Sequence, residues 1–557
     1  LEAEPKKVTN TAQFFAETVS GYGITHLFMV PAIFHSAMAA MEDLGIRRVT
    51  AHHEVAAAYM ADGYARASKG PGLCMGQSVG SANLAAGLRD AYLSSSPVVC
   101  VSGGPQPESR YKYLYQVVDD FSMYEPVTKF NAMVEHPDRL PDLLRQAFRV
   151  AVTGTPGPVH LELPGRLGEG ANGDGDFDVI IEKRFSHFPA YRPEPELDSL
   201  REAAALLASA KKPVIVAGGG IHASGASAEL QKLAEKLSIP VATSPTGKAA
   251  IPENHPLNIG MVGNYGRWST NAFVEEADLV FFIGTRTGGL TTKNWMTPMP
   301  GTPVIQLDIE AEAVGRNYPV KVGIVGDAKV SLARLIEVVQ PGSRTEWVKK
   351  AQAGLAAWKA EKAPNLASDA APIQVERLCK EITEFLPEGG VVVSDTGHAA
   401  IWSGTMIDLN KPGQRYIRCA GHLGWAFPAS LGVKCALPDK PVVCFTGDGG
   451  FYYHLSELET AARFNIPTVV VVNNNGALQQ VKNGFDRAYG GTQRGRAHEM
   501  WVFEPGNLAA VARDMGCVGI RVEKPEQIRP ALEEALASKR PALLDVVTDI
   551  KSHPQVW

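Results

Sequence analysis

Short, continuous apolar runs rich in β-branched residues recur along the chain. HLFMV (26–30), RRVTA (47–51), GLCMG (72–76), PVVCVSG (97–103) and PVHLELP (158–164) fall in the first third. KPVIVAGGG (212–220), DLVFFIG (278–284) and PVIQLDI (303–309) follow, then VVVSD (391–395), PVVCF (441–445) and PTVVVV (467–472). Most lack a strict apolar–polar alternation, as expected of strands covered on both faces of a parallel sheet. Between them lie helix-length patterns: HEVAAAYMADGYARA (53–67), LDSLREAAALLASAKK (197–212) and FYYHLSELETAARF (451–464). Parallel neighbours need such crossovers. The alternation predicts an α/β chain of three doubly wound parallel-sheet domains, at 8–175, 195–345 and 370–550. Linkers are expected at GRLGEGANGDGDFDV (165–179), FPAYRPEPELD (188–198) and a polar stretch before the third block.

In sheets of this kind ligands bind outside the carboxyl ends of the strands. Asp448 follows one buried-type strand and Asn475 follows the next. Gly447, Gly449 and Gly450 let the backbone turn tightly and approach a ligand. A carboxylate, an amide oxygen and a backbone carbonyl at one sheet edge suit Mg²⁺, which completes its shell with ligand phosphates and water. Taken alone, Gly-Asp-Gly also reads as an ordinary turn; the second half on the adjacent strand is what favours a metal.

Bulk properties narrow the class. The chain has 557 residues, 20% charged, with net charge −5 and no long basic run, which gives no support for a nucleic-acid partner. Its seven cysteines form no CxxC pair and several sit in apolar runs, fitting a reducing compartment. The leading LEAEPKKVTN lacks a signal-peptide core, and no run reaches membrane-spanning length. A cytoplasmic protein acting on small molecules, without a membrane partner, is the expectation.

Gly-Asp-Gly followed by Asn-Asn after a buried strand resembles the signature of the thiamine-diphosphate-dependent enzymes. HHEVAAAYMADGYAR resembles their segment with the catalytic glutamate, and GHLGWAFPASLG the segment beneath the cofactor. The likeness spans nearly the whole chain and is nearest to the acetolactate synthase group. It implies thiamine diphosphate and Mg²⁺ as cofactors, the metal on Asp448, Asn475 and the carbonyl of Ala477. It implies Glu54 as the carboxyl that hydrogen-bonds the aminopyrimidine; an apolar cleft suits a group that shares a proton with that ring. A helix-dipole role in the first turn is the alternative for Glu54. Gly397 and His398 match a second diphosphate-contacting segment, where the family more often has Gln in place of His. Gly421 and Leu423 match the backbone hold on the aminopyrimidine and the apolar wedge beneath it. Gln116 matches a Gln near the reacting centre. The resemblance also implies a homodimer at minimum, and commonly a tetramer, because glutamate and diphosphate site come from different subunits.

Gly219 and Gly220, after the strand 213–217, form either a phosphate cradle or a plain tight turn. By resemblance the central domain takes FAD or ADP, with Arg286, Asp308 and Asp327 at the matching positions. The chain also departs from the acetolactate synthase pattern. Pro31-Ala32-Ile33-Phe34 replaces Pro-Gly-Gly-Ala, which predicts that Ile33 and Phe34 crowd the pocket. Gln480 and Gly484 replace a Met and a Trp, which opens it elsewhere. His35 and His422 are candidate acid/base groups or packed imidazoles. The resulting expectation is a carboligase-type enzyme working on a 2-oxo acid or α-dicarbonyl compound. The alternative is a decarboxylase or hydrolytic C–C lyase without a second carbonyl acceptor. The terminal KSHPQVW either folds over the cleft or hangs free.

Overall fold

The computed structural model describes residues 6–504 and 506–554; of the terminal KSHPQVW, residues 555–557 lie outside them. Eight strands serve the first third: β1 Lys6–Asn10, β2 His26–Val30, β3 Arg47–Thr50, β4 Gly72–Gly76, β5 Val98–Gly104, β6 Phe130–Met133, β7 Val159–Pro164 and β8 Asp174–Val179. Six serve the middle: β9 Pro213–Ala217, β10 Val241–Thr243, β11 Asn258–Met261, β12 Leu279–Ile283, β13 Val304–Asp308 and β14 Val322–Val325. The last six are β15 Val391–Ser394, β16 Arg415–Arg418, β17 Val442–Gly447, β18 Val469–Asn474, β19 Val518–Val522 and β20 Ala542–Val547.

They build three six-stranded sheets, β3-β2-β4-β5-β7-β6, β11-β10-β9-β12-β13-β14 and β16-β15-β17-β18-β20-β19. Pairings such as β4 with β5, β9 with β12 and β17 with β18 are parallel. The expected α/β class of three doubly wound sheets is what the chain adopts. The outer two sheets share one strand order, 2-1-3-4-6-5 when each is counted from its first strand; the middle sheet has 3-2-1-4-5-6. The order reverses beside β2 and β4, β9 and β12, and β15 and β17. Such switch points leave a crevice for ligands.

Three segments differ from the sequence-based expectation. The first linker carries β8, which pairs antiparallel with β1 and buries Phe177 and Val179. The polar stretch before the third block is a helix, Thr345–Leu366, anchored by buried Trp347 and Trp358. Residues 451–464 are not one helix. The chain turns helical already at Asp448, tightens into a 3₁₀ turn at Tyr452–His454 and resumes as the helix Glu457–Arg463. The tight turn puts the His454 ring 5.6 Å from that of Tyr59.

The first and third sheets are locked together by two helices, Glu54–Ser68 and Ala426–Ala436. Glycine makes their close crossing possible. A Cβ on Gly63 would stand 2.1 Å from the Ala429 carbonyl oxygen, and one on Gly432 would stand 1.8 Å from that of Met60. Around the crossing lies a buried polar knot. Arg66 donates to both oxygens of Asp62, through Nε at 2.7 Å and through Nη2 at 2.5 Å, and to Asp90. The Trp425 indole donates to Asp62 at 2.9 Å, under the Arg66 guanidinium. Burial pushes the Asp62 carboxyl up, against the pull of Arg66. Gly432→Val is expected to cost about 1–3 kcal/mol of overpacking and to lower the thermal midpoint. The same change at Gly288, where a Cβ meets nothing within 4 Å, should move the midpoint far less.

Strand β7 carries polar groups inside the first domain. His160 stacks on Tyr124 at 3.4 Å and pairs with Ser102 and Asn131, and burial drives its pKa down to about 3. Glu162, 3% exposed, has an oxygen with no partner, and burial raises its pKa to about 8. From its ordinary 4.5 up to about 8, the folded chain keeps a proton that the unfolded chain has released. Stability from this site therefore declines as pH rises through that window. Glu162→Gln should raise the thermal midpoint at pH 8 and change it little at pH 5. A lower midpoint at both pH values would contradict this reading.

Candidate active site

The carboxyl ends of β15, β17 and β18 converge on one cradle. Asp448, 2% exposed, accepts the Gly449 N–H at 2.9 Å and the Ala477 N–H at 3.0 Å. Burial still pushes its carboxyl up to about 6. Asn475, after β18, donates its amide to Gln479 at 3.2 Å, while its buried Oδ1 has no partner. An orphaned amide oxygen beside a destabilised carboxylate fits a hard divalent cation that completes its shell with other oxygens. Gly449 and Gly450 are packed too closely for side chains, Gly449 against Leu478 and Gly450 against Thr446 and Asp395. A Cβ on Gly447 would come no nearer than 4.0 Å to Asn473.

Gly397 has φ +64 and ψ −142, a conformation left to glycine, and Gln480 Oε1 lies 2.9 Å from where its Cβ would be. His398 follows, 8% exposed. Its Nδ1 faces Gln479 Oε1 at 3.0 Å, and its buried Nε2 has no partner. Burial lowers its pKa. Nε2 is thus a free polar atom next to the Gln479–Asn475 pair, suited to a diphosphate oxygen once the ring is protonated. Gly484 borders open space, with nothing within 4 Å of a Cβ.

The loop 420–424 is suspended from two carboxylates. Asp90, on the helix Ser81–Leu93, accepts the N–H groups of Ala420, Gly421 and His422 at 2.9–3.2 Å. Asp395 accepts those of Gly424 and Ala426, and burial pushes its carboxyl up to about 6. Asp90 uses the Gly421 N–H, so of that residue's backbone groups the carbonyl is the one left for a ligand. Leu423 is half-buried at the middle of this loop.

Glu54 opens its helix, half-buried, with Oε2 accepting from Asn83 at 3.0 Å. Gly80 makes room for it; a Cβ there would lie 2.3 Å from Glu54 Oε1. Gln116, at φ +63, accepts from Arg166 at 2.8 Å, and the Ser78 N–H ties the Arg166 carbonyl to the turn that holds Glu54. His422 Nδ1 is bonded to the Tyr59 hydroxyl, so it is a held imidazole. His35 is exposed at the start of the helix His35–Asp43.

Ile33 and Phe34 correct an expectation. Both are fully buried in the first domain's core, where Phe34 packs on Phe15 at 5.7 Å, so their bulk fills the core and does not crowd a cleft. Two residues escaped sequence reasoning. Gln479 joins His398, Asn475 and the carbonyls of Ile550 and Ser552, which also seats the described part of the terminal segment beside the cradle. His454, with an unpartnered Nδ1 and a pKa driven down to about 4 by burial, joins His53 and Tyr59. Only its place seven residues beyond Gly447 signalled it.

A second site lies on the middle domain. A cavity of about 980 Å³ is lined by Gly219, Gly220, Arg286, Asp308 and Asp327 and extends to Arg415 and Arg418. It opens at the β9/β12 switch point. Asp327 is already engaged by Arg192, Ser224 and the Val330 N–H, so it fixes the wall. Asp308, whose carboxyl burial pushes up, accepts the Glu310 N–H at 3.1 Å. Among the described residues no group of three His, Cys, Asp or Glu side chains could hold a metal, and no helix is long and apolar enough to cross a membrane.

Family models match in the same three places. The N-terminal TPP binding domain of thiamine pyrophosphate enzymes matches residues 9–123, the central domain 200–335 and the C-terminal TPP binding domain 395–546. A probable acetolactate synthase large subunit of Methanocaldococcus jannaschii is 33% identical over 528 residues, 92% of this chain and 87% of the relative. The glyoxylate carboligase of Escherichia coli O157:H7 is 33% identical over 567 residues, 95% and 90% of the two chains. The acetolactate synthase isozyme 3 large subunit of Escherichia coli K12 is 30% identical over 525 residues, 91% and 89%.

Gln479→Leu should weaken divalent-cation binding, read by calorimetry with thiamine diphosphate present, by about tenfold or more, equivalent to ~1.4 kcal/mol. The Asn475 amide would then be free to turn. Unchanged affinity would show that Gln479 does not orient it.

Proposed function

The chain belongs to the thiamine-diphosphate-dependent enzymes of the acetolactate synthase-like group, and from that membership and the geometry above we propose that it joins two carbonyl fragments, one from a 2-oxo acid or related α-dicarbonyl compound. The observation that carries the reading is the unpartnered Asn475 Oδ1 beside the buried Asp448 carboxyl, whose pKa burial raises, at the ends of adjacent strands by a switch point. Thiamine diphosphate, when bound, supplies a nucleophilic carbon and an electron sink for making or breaking a bond next to a carbonyl.

The residues have the following parts. Asp448, Asn475 and the Ala477 carbonyl hold Mg²⁺, and Gly397 and His398 receive the diphosphate. Glu54, kept in place by Asn83 and Gly80, holds a proton at the aminopyrimidine edge. The Gly421 carbonyl and Leu423 orient that ring. Gln116 with Arg166, and Gln480 with the open space at Gly484, face the substrate. His422 orients through Tyr59; His35, exposed at the start of its helix after β2, stays a candidate acid/base group.

Carboligation is favoured over decarboxylation alone. The closed pocket that argued for the latter rested on Ile33 and Phe34, which lie in the core. The middle cavity is proposed to take FAD or ADP, and the three domains to span 8–175, 195–345 and 370–550. A homodimer at minimum, with tetramers open, is supported by the exposed Tyr111, Tyr113, Tyr115 and Val118 around Gln116, an apolar cluster suited to a second copy. The seven cysteines are free thiols, which supports a cytoplasmic location.

The test is product analysis with carbon-13 pyruvate, alone and with glyoxylate, on protein loaded with thiamine diphosphate and Mg²⁺. The expected product is a 2-hydroxy-3-oxo acid labelled across the new bond. Labelled aldehyde or acetate as the sole product would replace carboligation with the decarboxylase or hydrolytic branch.

A further inference from the structure

Arg418 ends the edge strand β16, two residues before the Asp90-suspended loop, and lines the middle cavity. It is only 4% exposed, yet its Nε and Nη2 have no hydrogen-bond partner. Its neighbours are satisfied differently. Arg415, on the same strand, donates to the carbonyls of Ala67 and Arg66 at 2.9 Å each. Arg66 is paired with Asp62 and Asp90 and donates to the Arg418 carbonyl at 2.6 Å.

Those two carboxylates are thus spent on Arg66, the Trp425 indole and the 420–422 N–H groups, and the wall carboxylate Asp327 is spent on Arg192. Burying a cation without a counter-charge is costly. The field around it is positive as well: burial first, then Arg415, Arg192 and Lys329, pull the Lys69 ammonium down at the cavity rim. An anion entering from the cavity would satisfy Arg418.

We propose that Arg418 is the anion subsite of the middle cavity, which receives the diphosphate of a nucleotide seated against Gly219, Gly220 and Asp308. A planar guanidinium matches phosphate oxygens bidentately, and Arg415 adds a second cation on the same wall. The proposal rests on the nucleotide reading of the cavity but assigns the phosphate pole to a residue of the third domain. Occupancy would then bridge the middle and third domains one strand end away from the cofactor loop.

The test is calorimetry on protein saturated with thiamine diphosphate and Mg²⁺, so that the catalytic diphosphate site is already filled. Adenosine, ADP and inorganic pyrophosphate are titrated into the parent chain and into Arg418→Met. ADP affinity is expected to fall about tenfold or more in Arg418→Met, with adenosine affinity changed less than about twofold. The thermal midpoint of the ligand-free variant should hold or rise, because an unpaired buried charge has been removed. A merely structural arginine would give the reverse: a lower midpoint with ADP affinity unchanged, which overturns the proposal. Absence of both ADP and pyrophosphate binding in the parent also overturns it. Pyrophosphate binding that depends on Arg418, without ADP binding, keeps the anion subsite and rejects the nucleotide. ADP binding indifferent to Arg418 does the opposite. Should the Met variant not fold, Arg418→Lys, which keeps the cation, is expected to retain pyrophosphate binding with weakened affinity; full parental affinity would contradict bidentate capture.

Discussion

The contact on which the placement of the first domain against the third depends is the crossing of the helices Glu54–Ser68 and Ala426–Ala436, where Gly63 and Gly432 let two backbones touch. One of these helices begins with the candidate proton-holding carboxyl. The other continues from the loop that would orient the cofactor's ring. Fixing their crossing fixes the first domain relative to the third. The knot of Asp62, Arg66, Asp90 and Trp425 then transmits that placement to the loop itself, because Asp90 caps residues 420–422 while also pairing with Arg66. Such a network specifies geometry by leaving few alternatives in which its buried charges are paired.

Much of this was legible in the sequence because buried parallel strands write long apolar runs, and because Asp448 and Asn475 follow two of them directly. The three sheets and the helix at Glu54 were readable for that reason. What escaped had weaker local signals. Strand β8 alternates Asp with Gly and Phe, so composition spoke for a loop while pairing with β1 decided otherwise. The helix 345–366 buries Trp347, Ala351 and Trp358 but shows no broad apolar stripe, and it is held by the two tryptophans. Ile33 and Phe34 follow a strand end, yet Phe34 adopts a left-handed backbone that turns the chain into the helix His35–Asp43 and sends both side chains to the core. Gln479 and Asp90 act only through tertiary contacts, which no local pattern records.

Three residues with unmet buried polar atoms stand at candidate ligand sites. Asn475 Oδ1 and His398 Nε2 lie at the cradle, and Arg418 lines the nucleotide-type cavity. Buried groups without partners are costly unless something else satisfies them, and these three lie beside candidate ligand sites. Glu162, whose raised pKa keeps it neutral through most of the physiological range, resolves the same problem by protonation.

The central claim is that Glu54 governs proton activation while Asp448 and Asn475 hold the cofactor. Hydrogen–deuterium exchange at the reactive ring carbon of bound thiamine diphosphate tests it most directly, comparing Glu54→Gln with the parent. The account predicts exchange slowed by about a hundredfold or more, with cofactor affinity within about tenfold of the parent. Exchange at the parental rate in Glu54→Gln would contradict it.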